Sequence, residues 1–162
     1  MLAKKALCST LAVLLLAFTS TVIAETLPDI AKRQLKTDDG YTIYYNAIIT
    51  DNLSLEVAKA YKVTRSKNRA MLTVSIRKGS NIMKAKAVEA LVTAQAVNRN
   101  FQLKTLEMRR IEEGTGDSKA IYYLDDFKFA NQETFTFTIK VTPEHKGKEH
   151  EIKFEQQFFV SD

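Results

Sequence analysis

The chain has 162 residues, a formal net charge of +5, nine phenylalanines, six tyrosines, no tryptophan and one cysteine. This length holds one domain with a substantial core but not two ordinary ones. The cysteine, Cys8, lies in the first apolar stretch, so residues 25–162 exclude disulfides, cysteine nucleophiles and cysteine-ligated metal sites.

The first 24 residues predict a secretory signal peptide. Lys4 and Lys5 form its positive start, and residues 6–20 form an apolar run that is too short to span a bilayer. A small-residue motif ending at Ala24 provides the cleavage site. We therefore expect a periplasmic product, residues 25–162, that forms a single domain with no transmembrane segment after cleavage.

From Tyr41 onward the apolar residues alternate with polar ones, which is typical of β-strands. In the clearest case two arms of aromatic and β-branched residues flank a turn at Asn131–Gln132. The predicted strands lie near residues 32–37, 41–49, 70–78, 84–93, 103–112, 119–125, 127–141 and 152–160.

One segment breaks the alternation. Asn52 or Ser54 can cap a short helix over roughly 54–62, in which Leu55 and Ala58 share a face. Seven or eight short strands, one helical crossover and no βαβ rhythm predict an all-β fold, an immunoglobulin-like antiparallel β-sandwich.

Six short stretches carry a resemblance to a known family. They are YYNA at 44–47, EVAKAY at 56–61, TRSKNR at 64–69, IYYL at 121–124, FTFTI at 135–139 and FEQ at 154–156. Together they resemble a family of small secreted proteins of Gram-negative bacteria catalogued as domain of unknown function 4426. The resemblance implies an export signal followed by a β-sandwich domain, and it implies no activity and no functional residue.

The positive charge is concentrated in residues 57–88, which hold nine basic side chains and no acidic one. These candidate binding residues are Lys59, Lys62, Arg65, Lys67, Arg69, Arg77, Lys78, Lys84 and Lys86. A hairpin turning at Gly79-Ser80 would bring the last four close together. If the nine share a face, they would attract an anionic envelope component or an acidic envelope protein, with an affinity that falls as salt rises.

A more ordinary interpretation of the same residues is a solvated face, partly paired with the acids at Glu112-Glu113 or Asp125-Asp126. Nucleic acid is not an expected partner, because the signal peptide removes the chain from it.

The two histidines, His145 and His150, suggest a weak metal-site hypothesis. A hairpin turn at Gly147-Lys148 would pair them directly, with glutamates nearby, and could hold a divalent metal. A turn at Lys146-Gly147 would instead pair His145 with Lys148 and remove the site.

Four of the six tyrosines form adjacent pairs, Tyr44-Tyr45 and Tyr122-Tyr123. On a strand, one member of each pair faces the core and the other faces outward. An outward tyrosine can stack on a sugar or a peptide, although a partly buried edge position is the more common outcome.

No G-x-S-x-G, H-E-x-x-H or glycine-rich phosphate loop occurs in the sequence. The sequence therefore predicts a non-catalytic binding or accessory module with no cofactor. The alternatives are a metal-handling protein or metal-dependent hydrolase that uses the two histidines, and a purely structural component of the envelope.

Overall fold

The computed structural model describes residues 33–79 and 84–160. The predicted signal peptide lies outside these residues. Within them the chain forms one α-helix, α1 (Leu55–Ala60), and ten strands. The strands are β1 (Gln34–Lys36), β2 (Tyr41–Ile49), β3 (Arg69–Lys78), β4 (Lys86–Ala87), β5 (Ala90–Asn98), β6 (Leu103–Leu106), β7 (Arg109–Glu113), β8 (Ala120–Lys128), β9 (Glu133–Pro143) and β10 (His150–Phe158).

The strands form two antiparallel sheets that pack face to face. The first sheet has the order β1-β2-β3-β8-β7, with β4 added at the far end of β3, and the second has the order β10-β9-β5-β6. An immunoglobulin sandwich has sheets of the order ABED and CFG. Here β2-β3-β8-β7 follows A-B-E-D and β5-β9-β10 follows C-F-G, which confirms the predicted fold class.

Alternation of side chains along each strand builds the core between the sheets. On β9, Phe135, Phe137 and Ile139 are fully buried, whereas the threonines between them point outward. The ring of Phe137 stacks on that of Phe154 of β10, with centroids 4.7 Å apart. Between the sheets, Phe127 of β8 packs on Phe135 and Phe137, with ring centroids 5.4 and 5.7 Å apart, and these contacts hold the two sheets together.

Helix α1 covers part of the outer face of the first sheet. Ser54 caps it by accepting a hydrogen bond from Val57 N at 3.2 Å, so the predicted helix is confirmed and Ser54 is its cap. Beneath the segment that contains α1, a second apolar cluster forms around Val63, Met71 and Leu124. No helix among the described residues has the length and apolarity that a membrane crossing requires.

The strand count exceeds the predicted seven or eight because two predicted strands each divide between the sheets. The 84–93 segment becomes β4 and β5, and the 103–112 segment becomes β6 and β7. At the first crossing Val88 N donates to Ile76 O at 3.1 Å, and at the second Glu107 N donates to the Asp125 carboxylate at 2.8 Å. Before and after such a crossing the inward side chains enter the same core, so the alternating sequence pattern does not reveal that the chain changes sheet.

Candidate functional site

The nine predicted basic residues do not form one surface. Strand β3 runs from Arg69 to Lys78, and ten strand residues separate its two ends by about 30 Å. The five residues from Lys59 to Arg69 lie on α1 and the segment that leads from it into the start of β3, which we name the α1 end of the sandwich. The four from Arg77 to Lys86 lie at the opposite end.

Two arginines at the α1 end are held by neighbouring acids. Arg65 donates to the backbone oxygen of Asp51 at 2.7 Å, and Arg69 Nε donates to Asp126 Oδ2 at 2.6 Å. The second contact is of the kind that the solvated-face interpretation predicts. The Arg65 guanidinium therefore joins the loop before β3 to the turn after β2, and that of Arg69 joins β3 to β8. Both groups contribute less to a free anion site because these partners occupy them.

At the opposite end, Arg77 and Lys78 also have internal partners. The Arg77 guanidinium donates to the backbone oxygen of Ala85 at 3.2 and 2.9 Å. Lys78 Nζ lies 2.9 Å from Glu144 Oε1 and 5.1 Å from the centre of the Tyr41 ring. The hydrogen bond with Glu144 raises the pKa of Lys78 and lowers the pKa of the Glu144 carboxyl.

The remaining five lysines point into solvent. Lys59, Lys62 and Lys67, which we name the lysine triad, lie at the α1 end, and Lys84 and Lys86 lie at the other. None of their five ammonium groups makes a hydrogen bond or ion pair with another described residue. The lysine triad is therefore a free cationic group at the α1 end.

A buried hydroxyl fixes the segment that carries the lysine triad. Thr50 is fully buried, and its Oγ1 donates to Thr64 O at 2.9 Å and accepts from Ser66 N at 3.0 Å. These bonds tie the 3₁₀ turn after β2 to the loop before β3. Lys67 thus extends from a segment with a defined path.

The predicted pairing of His145 with His150 is wrong, because the β9–β10 register differs from both turns considered. His150 pairs with Val141, and His145 lies in the intervening loop with a φ of 57°. His150 is buried and its Nε2 lies 3.2 Å from Asp39 Oδ2, whereas His145 Nε2 lies 3.8 Å from Glu89. No three His, Cys, Asp or Glu residues of ranges 33–79 and 84–160 come together as a metal site.

The paired tyrosines divide between the faces as alternation predicts. Tyr45 packs on Phe154 with ring centroids 5.1 Å apart, and Tyr123 is buried, where its hydroxyl accepts a hydrogen bond from Ala90 N at 2.8 Å. Their neighbours Tyr44 and Tyr122 lie on the outer face of the first sheet.

The sequence analysis did not identify a cluster of amide side chains at the α1 end. The β5–β6 and β8–β9 turns bring five amide side chains together around an open cleft of about 340 Å³. They are Asn98, Asn100, Gln102, Asn131 and Gln132. Phe101 projects from the first of these turns with 89% of its surface exposed. In the sequence, the signal for this site was a single aromatic residue, Phe101, within a run of polar turn residues.

Comparisons with known proteins place the chain among relatives without an assigned activity. The family model described as Domain of unknown function (DUF4426) matches residues 35–161, which confirms the resemblance. A DUF4426 family protein of Pseudomonas aeruginosa PAO1 is similar in structure, with 28% identity and a TM-score of 0.66 over 80% of this chain and 95% of that chain.

FetP of the uropathogenic E. coli strain F11 is similar at 10% identity, with a TM-score of 0.50 over 80% of this chain and 94% of that chain. This second likeness concerns the fold alone. No curated protein matches the chain.

Proposed function

The chain belongs to the family DUF4426, a domain of unknown function, and from its own surface we propose that it is a non-catalytic binding module of the periplasm. Its partner is an anionic component of the envelope, and the lysine triad provides the contact. The predicted signal peptide supports the location.

The observation that carries this proposal is the free state of the lysine triad beside neutralised arginines. Within one segment Arg65 and Arg69 are paired with carboxylates, yet Lys59, Lys62 and Lys67 have no such partner among the described residues. Three unpaired charges on a short, fixed segment attract phosphate or carboxylate groups, and added salt screens that attraction.

An exposed apolar side chain adjoins these charges. Leu55, one helical turn before Lys59 on α1, has 73% of its surface exposed. Its burial against a partner would add an apolar contribution of about 1.5–3 kcal/mol that salt does not weaken. The α1 end thus combines charge attraction with a short-range apolar contact.

The test is a crosslinked pull-down from the envelope fraction, performed at low and at high salt with the mature protein. The variant Lys59→Glu/Lys62→Glu/Lys67→Glu should lose the salt-sensitive partner and keep the melting temperature, because the triad has no internal contacts. Reversal of Arg65 or Arg69 would be a poorer test, since it would break internal ion pairs.

The matched control is Lys84→Glu/Lys86→Glu, which reverses free lysines at the opposite end and should capture the partner normally. Equal capture by the triad variant and the wild type would refute the assignment. Capture of nothing by the wild type at either salt concentration would instead favour a purely structural role in the envelope.

A further inference from the structure

The turn between β5 and β6 presents an aromatic ring to solvent from a rigid base. The buried Asn98 accepts hydrogen bonds through Oδ1 from Asn100 N at 3.0 Å and from Gln102 N at 2.9 Å. Its Nδ2 donates to Gln102 Oε1 at 2.6 Å and to Glu133 Oε1 at 2.7 Å. These bonds lock both sides of the turn, so the backbone that carries the exposed ring is held in place.

The backbone of Phe101 adopts a conformation that usually selects glycine. Its φ is 59°, in the left-handed region, where a bulky side chain is a genuine outlier. A hairpin with a type I turn followed by a left-handed residue normally places glycine there. A phenylalanine that is both strained and solvent-exposed stabilises nothing in the free domain, which points to a role in binding.

Phe101 borders a cleft on the outer face of the second sheet, and this cleft shares Asn98, Arg99 and Thr134 with the amide cleft. This cleft measures about 440 Å³ and is lined by Val97, Arg99, Phe101, Thr136 and Glu155 among others. The guanidinium of Arg99 lies 3.5 Å from the Glu155 carboxylate, and both side chains are largely exposed. The volume of this cleft falls in the range of small-ligand sites, and the cleft combines one apolar wall with charged and hydroxyl groups.

The chemistry of these two clefts matches a sugar ring. A pyranose has an apolar C–H face that stacks on an aromatic ring, and its rim of hydroxyls both donates and accepts hydrogen bonds. Amide side chains offer two donors and an acceptor in one plane, which suits a pair of adjacent hydroxyls. The Arg99–Glu155 pair adds charge-assisted donors and acceptors. Phe101 provides the face, and the side chains around it provide the rim contacts.

We propose that the Phe101 turn and its two flanking clefts form a binding site for pyranose glycans. The sugar stacks on the Phe101 ring, while the side-chain amides of Asn100 and Gln132 and the Arg99–Glu155 pair bind its hydroxyls. The site lies on the second-sheet side of the α1 end, shares no residue with the lysine triad, and does not depend on the anionic partner.

The test is calorimetric titration of the mature protein with cellotetraose, maltotetraose and chitotetraose. These probes distinguish β-linked glucose, α-linked glucose and N-acetylated sugar as the preferred ring. We expect saturable binding of at least one of them. In Phe101→Gly the affinity should fall about tenfold or more, and in Phe101→Trp it should persist, because an aromatic face is retained.

Two controls separate loss of the ring from loss of the fold. Phe101→Gly should melt at the same or a higher temperature than the wild type, since glycine relieves the left-handed strain. Leu91→Ala truncates another exposed side chain, at the end of β5 far from the Phe101 turn, and should bind normally.

The proposal is overturned if none of the three tetrasaccharides binds, or if Phe101→Gly binds with unchanged affinity. The lysine triad variant should retain glycan affinity within about twofold, because the probes are uncharged. A large loss in that variant would place glycan binding elsewhere and would also overturn the assignment. Failure here would leave the salt-dependent capture at the lysine triad unaffected.

Discussion

At the scale of single residues, Tyr61 shows how local packing changes the chemistry of a side chain. The pKa of Tyr61 is raised to about 12. Burial is the larger cause, and a hydrogen bond from its hydroxyl to Glu113 Oε1 at 2.8 Å is the second. Arg109 donates to the backbone oxygen of the same residue at 3.0 Å. The tyrosine thereby joins the end of α1 to strand β7.

The raised pKa of Tyr61 predicts a loss of stability in alkali. The folded state holds the phenolic proton more tightly than the unfolded chain, whose tyrosine pKa is near 10.0. This contribution is therefore complete below pH 10 and disappears as the pH rises through about 12. Melting temperatures measured over this interval should fall more steeply for the wild type than for Tyr61→Phe.

Absorbance titration checks the same assignment independently. The wild type should show one more phenol ionising near pH 12 than Tyr61→Phe does. If the phenol missing from the variant ionises near pH 10 instead, the Glu113 contact does not hold in solution.

At the scale of elements, Thr50 connects the 3₁₀ turn after β2 to the loop that carries Lys67. Thr50→Val keeps the side-chain shape but leaves Ser66 N and Thr64 O without their partner. We expect this variant to lose about 1–3 kcal/mol of unfolding free energy, measured by urea denaturation. Thr50→Ser retains the hydroxyl and should lose less. Equal stability of Thr50→Val and the wild type would contradict this account.

The elements themselves were largely predictable, because alternation and capping are local signals. The FTFTI stretch of β9 and the Ser54 cap of α1 both act through neighbours in sequence. The register of strand pairing and the crossings of the chain between sheets depend on residues that are far apart in the sequence. The β9–β10 pairing of His150 with Val141, and the passage from β4 to β5, are set by tertiary contacts that no local pattern contains.

At the scale of the whole molecule, one core joins the two sheets, and Phe137 lies at its centre with no exposed surface. Phe137→Ala removes the ring that stacks on Phe154 and should cost about 3–5 kcal/mol of unfolding free energy. Phe159→Ala truncates a ring that is already 54% exposed and should cost much less. Urea denaturation of both variants measures the difference, and similar losses would contradict a core centred on Phe137.

The candidate sites were less predictable than the fold, for a reason of geometry. Sequence showed a run of nine basic residues, but the length of β3 separates them into two groups, and ion pairs occupy Arg65 and Arg69. The polar residues around Phe101 distinguish it from the other phenylalanines in the sequence, but the exposure of its ring depends on the turn that holds it. Both sites therefore required the packed structure.

The left-handed backbone at Phe101 has a consequence for comparing members of the family. Selection for stability alone would drive this position to glycine, since L side chains there strain the hairpin by roughly 1–2 kcal/mol. In this chain the proposed sugar contact would compensate for that strain. The identity of the residue at this single turn position thus becomes a criterion for dividing the family into chains that carry the exposed ring and chains that lack it.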